Sequence, residues 1–77
     1  MSTVVNIDKE ILGGTPVFAG TRVPIKNLFD YLEEGDSIEK FLLDFPTVKE
    51  EQVEQVLEMS YKLIAASTEI LHENFAG

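Results

Sequence analysis

The C-terminal two thirds of the chain carry apolar residues at helical spacing. Ile25, Leu28, Phe29 and Leu32 stand at i, i+3, i+4 and i+7, a set that shares one face of a helix and no face of a strand. The spacing predicts a first helix over roughly residues 24–34, with Gly35 as the residue that leaves it in a left-handed conformation. Asp36-Ser37 offers a cap for a short second helix, whose inward face is Ile38, Phe41, Leu42 and Phe45 and which must stop before Pro46. Thr47 and Glu50 have the spacing of a capping box, and the acids that follow suit the positive end of a helix dipole, so a third helix is expected from near Val48.

The third helix meets no Gly or Pro before Gly77. Val53, Val56-Leu57, Leu63-Ile64 and Ile70-Leu71 recur on one side of it at a period of seven, with Ser60 and Ser67 as small members of the same stripe. A three-helix core uses only about four turns of such a helix. The stripe beyond residue 64 therefore has nothing left in its own domain to cover it and is expected to contact a partner.

Ahead of the helices the pattern is sheet-like. Thr3 to Ile7 is β-branched and apolar around Asn6, and Val17-Phe18 and Arg22-Val23 flank Ala19-Gly20-Thr21, a reversal in which Gly20 supplies a positive φ at low steric cost. These read as a small β-hairpin with a possible third strand at Thr3–Ile7, since a hairpin alone is marginal. Pro16 suits the start of a strand, and Pro24 both ends the second arm and suits the first turn of a helix. Between them, Asp8-Lys9-Glu10-Ile11-Leu12 has one helical turn's worth of residues behind an Asp cap, closed by Gly13-Gly14.

The string Gly13-Gly14-x-Pro16-Val17-x-x-Gly20-Thr21-Arg22-x-Pro24, followed by an apolar helix, a Gly, a short helix ending in Asp44-Phe45-Pro46 and a longer third helix, resembles the domain-of-unknown-function family numbered 433. The resemblance runs from about Ile7 to about Ile64. It implies a small homeodomain-like helix-turn-helix preceded by a β-hairpin, in bacterial or archaeal proteins that look like antitoxins and are thought to pair with a PIN-like nuclease toxin.

At 77 residues the chain is expected to be one domain, of a size at which a single core gives only a few kcal/mol and a partner adds stability. Residues 1–23 would form the hairpin region, 24–65 the three-helix core and 66–77 a helical extension. The absence of cysteine excludes disulfides and thiolate metal sites. No signal-like N-terminus and no membrane-length apolar run is present, so the cytoplasm is the expected compartment and no membrane contact is expected. Net charge is −8, unevenly spread. Residues 1–28 hold Lys9, Arg22 and Lys26 against Asp8 and Glu10, whereas residues 29–77 hold three lysines against twelve acids. Non-specific DNA affinity rests on neutralised phosphates, so a chain this acidic needs its few cations on one face, or a partner, to bind DNA.

The helix-turn-helix reading places the start of the third helix where a recognition helix enters the major groove. There Gln52 and Gln55 have the chemistry to read adenine edges and Lys49 to meet a phosphate, while Glu50, Glu51 and Glu54 are repelled by the backbone. Each close like-charge approach costs about 1 kcal/mol in water, roughly what one Lys contact returns. Direct groove reading is the weaker expectation, and a solvated acidic face or a protein contact the stronger. Arg22 and Lys26 are the other candidate phosphate ligands; the favoured alternative ties Arg22 to Asp30 or Asp44, because Arg pairs well with a carboxylate. Glu50, Glu54 and Glu58 share a face that one straight helix cannot wrap round a cation, but that suits the basic mouth of a nuclease. His72 lacks companions for a metal or catalytic site, and Thr21 reads as a turn residue.

These expectations amount to a mainly α, homeodomain-like three-helix helix-turn-helix with an N-terminal β-hairpin and an extended C-terminal helix. No catalytic residues, metal or cofactor are expected. The functional expectation is a homodimeric antitoxin-like protein that neutralises a PIN-like nuclease toxin and represses its own operon mainly as the complex; a stand-alone DNA-binding regulator is the alternative. The nucleic-acid candidates are Arg22, Lys26, Lys49, Gln52 and Gln55. The partner or dimer candidates are Glu50, Glu54, Leu63, Ile64, Ile70 and Leu71.

Overall fold

The computed structural model describes residues 4–67. In chain order these form β1 (Val5–Asn6), a short 3-10 turn (Leu12–Gly14), β2 (Val17–Phe18), α1 (Ile25–Glu33), α2 (Ile38–Asp44) and α3 (Glu50–Ala66). The mainly helical architecture with an N-terminal strand pair is the expected one.

The sheet differs from the expected hairpin in where its pairing lies. β1 and β2 run antiparallel with Val5 opposite Phe18 and Asn6 opposite Val17, so the first strand is the main partner. The second hairpin arm is reduced to a single bridge between Val17 and Pro24, with Phe18 N–H donating to Val23 O at 3.0 Å. Pro24 explains the truncation: it has no N–H to extend a ladder and stands at the N-cap of α1 with extended backbone angles. The turn ahead of β2 also differs. Asp8 accepts the Glu10 N–H through Oδ1 and the Ile11 N–H through its carbonyl, both at 2.9 Å, but Gly13-Gly14 lie inside the turn instead of closing a helix. Leu12, Gly13 and Gly14 all have positive φ, of 50°, 68° and 94°.

The helix ends follow from local chemistry. Gly35 leaves α1 at φ +87° with its N–H on Leu32 O, and Asp36 N–H reaches Tyr31 O at 2.9 Å, the paired bonds of a Schellman motif. Ser37 Oγ accepts the Lys40 N–H at 3.0 Å and caps α2. α3 begins two residues later than expected, and the Thr47–Glu50 capping box does not form. Lys49 is the N-cap instead, and Gln52 turns its Oε1 back to accept the Lys49 N–H at 3.0 Å. Val48 stays in the connection because its side chain is buried there.

The core gathers Phe18 from the sheet, Leu28 from α1, Phe41 from α2, Val48 from the connection and Val53 and Val56 from α3. Phe41 is its hub: its ring lies 5.9 Å from Phe18, 5.4 Å from Tyr31 and 5.0 Å from Phe45 in tilted or edge-on geometry, arrangements that aromatic quadrupoles favour. Tyr31 fastens α1 to the end of α2 by donating its hydroxyl to Asp44 Oδ2 at 2.6 Å. The apolar stripe of α3 enters this core only as far as Leu57; Met59, Tyr61, Leu63 and Ile64 are exposed, at 47%, 66%, 69% and 61%. Among the described residues no helix is long and apolar enough to cross a membrane.

Candidate protein and nucleic-acid interface

The reversal after β2 is built by Thr21. Its hydroxyl donates to Phe18 O at 2.8 Å and accepts the Val23 N–H at 3.0 Å, while Gly20 takes φ +76°. The turn is thereby closed from inside and its backbone faces the start of α3. Gln52 bridges that seam, with Nε2 donating to Ala19 O at 3.0 Å and Oε1 holding the Lys49 N–H. One side chain thus caps α3 and ties it to the turn.

Two clefts open beside the bridge, of about 370 and 560 Å³, and share Gly20 and Thr47. Lys49, Glu51, Gln52 and Gln55 line the first, and Arg22, Asn6 and Ile11 line the second. The seam therefore gathers four of the five nucleic-acid candidates and leaves out Lys26. That lysine lies on α1, where Nζ donates to both oxygens of Asp30 at 2.8 and 3.0 Å. The hydrogen bond first, and the attraction of the carboxylate second, raise its pKa above the ordinary lysine value.

The ion pairs sort the cations. Lys26 meets Asp30, Lys40 meets Asp36 at 3.6 Å and Lys62 meets Glu58 at 3.8 Å, each within one helix turn. Lys9, Arg22 and Lys49 have no ion pair among the described residues, and two of these three border the seam. The expected tie of Arg22 to Asp30 or Asp44 is thus overturned: Lys26 holds Asp30 and Tyr31 holds Asp44. The same hydrogen bond to Asp44 is the main reason the Tyr31 hydroxyl titrates above its ordinary value, with burial next. Gln52 has a structural role that its spacing did not predict, with Oε1 accepting the Lys49 N–H and Nε2 donating to Ala19 O. Gln55 and Lys49 remain exposed at the rim.

α3 presents two further faces. Glu50, Glu54 and Glu58, spaced by one turn, are all exposed, and of the three only Glu58 has an ion-pair partner among the described residues. No cluster of three metal-ligating side chains forms among the described residues. Roughly opposite this row run Ser60, Leu63, Ile64 and Ser67. Ile70, Leu71 and His72 lie outside the described residues. The sequence did not single out Met59, which widens the apolar surface, or Tyr61, which stands seven residues after Glu54 on the acidic side; their exposure becomes legible only once the core is seen to close at Leu57.

A family model described as "Protein of unknown function (DUF433)" matches residues 5–58, a span that covers the strand pair, both clefts, α1, α2 and the acidic part of α3. An uncharacterised protein of Sinorhizobium fredii, y4eO, is 38% identical over 50 residues, 65% of this chain and 23% of that protein. The chain thus spans about a quarter of that relative's length. No solved structure matches the chain.

Proposed function

For a chain that belongs to the DUF433 family, we propose the role of a non-catalytic, antitoxin-like protein that occupies the basic mouth of a PIN-like nuclease with the acidic face of α3. The observation that carries the reading is the row Glu50, Glu54 and Glu58. Three carboxylates on one exposed helix face, two of them without an ion-pair partner among the described residues, present a preorganised negative strip. Such a strip speeds encounter with a positive cleft and fixes its register. A rigid helix also loses less conformational freedom on docking than a loop would. The cytoplasm, where such a nuclease meets its RNA, is the compartment this reading requires.

Co-expression with the product of the neighbouring reading frame tests the proposal. The expected result is a complex that survives purification, together with relief of growth arrest. A toxic neighbour that neither binds the chain nor is relieved by it would refute the reading.

A DNA-binding regulator is the second reading, and Arg22 and Lys49, which border one seam and have no ion pair among the described residues, favour it. Two phosphate contacts give a log–log salt slope of roughly −1.8. Glu50 and Glu51, beside Lys49 in the first turn of α3, oppose that attraction. A titration of duplex DNA from the chain's own upstream region at two salt concentrations decides it: binding at low salt that weakens in Arg22→Ala and Lys49→Ala supports this reading, and no binding at low salt removes it.

A further inference from the structure

We propose that the larger of the two clefts, beside the reversal after β2, binds a small monocarboxylic acid with an aliphatic body, whose carboxylate Arg22 takes. The inference goes beyond the toxin-binding reading and stands without it, because none of the residues lining this cleft belongs to the row Glu50, Glu54 and Glu58.

The cleft measures about 560 Å³, inside the range of about 300–1,000 Å³ that small-molecule sites occupy. Four separate stretches of chain build it: Asn6 from β1, Ile11 at the entry to the 3-10 turn, Gly20 to Val23 from the reversal, and Thr47 from the connection before α3. It therefore exists only in the folded chain. Its walls are also held before any ligand arrives. Thr21 closes the reversal from inside through Phe18 O and the Val23 N–H, and Gln52 fastens the neighbouring Ala19 to α3 at 3.0 Å. A preformed site spares the ligand the cost of ordering it.

The lining chooses the chemistry. It is more apolar than polar, so a ligand gains by covering Ile11 and Val23 with hydrocarbon. Arg22 supplies the charge. It is exposed, with no ion pair and no side-chain hydrogen bond among the described residues, and no Asp or Glu lines the cleft beside it. The other cleft lacks this property, since Lys49 shares it with Glu51. A guanidinium donates through two parallel N–H groups to the two oxygens of a carboxylate. Asn6 and Thr47, whose side chains also make no hydrogen bond among the described residues, add polar groups to the same lining.

Charge and size select a small monoanion over the alternatives. One cation in a chain of net charge −8 matches one negative charge. A phosphate dianion or a nucleic-acid strand finds no second cation on the lining and leaves Ile11 and Val23 uncovered. Seven residues line the cleft, where a stable protein interface takes about 20–30 a side.

The test follows the ¹H–¹⁵N amide spectrum of the full chain during titration with octanoate, and with 1-octanol, acetate and upstream duplex DNA as comparisons. Octanoate should move the Gly20, Thr21, Val23 and Thr47 amides saturably with a Kd of about 1 mM or below, within the reach of a ligand of this size. Because it binds only the folded chain, ten times Kd of octanoate should raise Tm by about 5–10 °C. Octanol and acetate, each lacking half of the recognised chemistry, should bind at least about tenfold more weakly. Arg22→Gln should weaken octanoate by a similar factor while leaving the ligand-free Tm unchanged, since Arg22 is exposed and has no ion pair among the described residues. Four outcomes each overturn the proposal: no saturable movement of these amides up to about 10 mM octanoate, octanol or acetate binding as well as octanoate, Arg22→Gln binding as well as wild type, or movement with duplex DNA where octanoate gives none, which hands Arg22 to the DNA-binding reading. None of them bears on whether the acidic face binds a nuclease.

Discussion

Replacing Gln52 with alanine separates the structural from the base-reading account of the start of α3. The side chain makes two neutral hydrogen bonds, to the Lys49 N–H and to Ala19 O, both at 3.0 Å. Each contributes about 0.5–1.5 kcal/mol net, and the bond to the part-buried Ala19 carbonyl belongs at the upper end because water replaces it poorly. Alanine is the better helix former by a few tenths of a kcal/mol, which offsets little. The expected loss is about 2 kcal/mol, and for a domain of this size each kcal/mol lowers Tm by about 4–8 °C. Thermal unfolding followed at 222 nm should therefore show a drop of about 8–16 °C. Gln52→Glu partitions the effect: it keeps the acceptor for the Lys49 N–H, with a charge that suits the helix N-terminus, and loses the donor to Ala19. It should fall between wild type and Gln52→Ala. If Gln52→Ala melts within about 2 °C of wild type, corresponding to less than about 0.5 kcal/mol, the bridge is not structural and Gln52 returns to the list of base readers.

Other consequences follow from the same geometry. Phe41→Ala removes a fully buried ring at the hub of the core and costs about 3–5 kcal/mol; because that approaches the whole stability of a small single-core domain, circular dichroism should show a largely unfolded chain at ambient temperature. Gly20→Ala places a Cβ in open space, with nothing within 4 Å, but at φ +76°, so urea unfolding should register only a backbone cost of about 1–2 kcal/mol. Leu43 is 80% exposed, and Leu43→Lys should leave the urea midpoint unchanged within about 0.5 kcal/mol. The hydroxyl of Tyr31 is held above its ordinary pKa by Asp44, so the bond's contribution is complete below pH 10 and is lost as pH rises through the higher folded-state value. Ultraviolet titration of a Tyr61→Phe variant, which leaves Tyr31 as the tyrosine among the described residues, should show ionisation later than in free tyrosine, and an Asp44→Asn substitution should bring it back down.

The helices were legible because their signals are local. Period, a glycine exit and a serine cap place α1 and α2 to within a residue or so. Where two local signals competed, tertiary packing decided. Thr47 and Glu50 had the spacing of a capping box, but Val48 is drawn into the core and moves the helix start to Glu50, where Gln52 performs the reciprocal half of the cap. The strand pairing was harder to read, because two-residue strands carry almost no periodicity and their partner is chosen by Pro24, which cannot donate to a ladder. The candidate site was only partly legible. That Lys49, Gln55 and Arg22 border one seam follows from a contact between residues 33 apart in sequence, Gln52 to Ala19, which no spacing announces. The fate of Arg22 depended on two competitors for its acids, Lys26 and Tyr31, each decided by geometry across a turn or between helices. The excess apolar stripe of α3 was visible in advance, since a period of seven continuing past the needs of a small core is itself the signal.

The proposed grip of the acidic face of α3 on a basic protein partner is tested most directly by the affinity of the purified chain for the product of the neighbouring reading frame, compared between wild type and Glu54→Lys. Reversing one charge in a close interfacial ion pair costs about 2–4 kcal/mol, or roughly a 30- to 1000-fold loss of affinity. A loss of that size is expected, with the salt dependence of the on-rate reduced as well. Tight binding that Glu54→Lys leaves unchanged would contradict it.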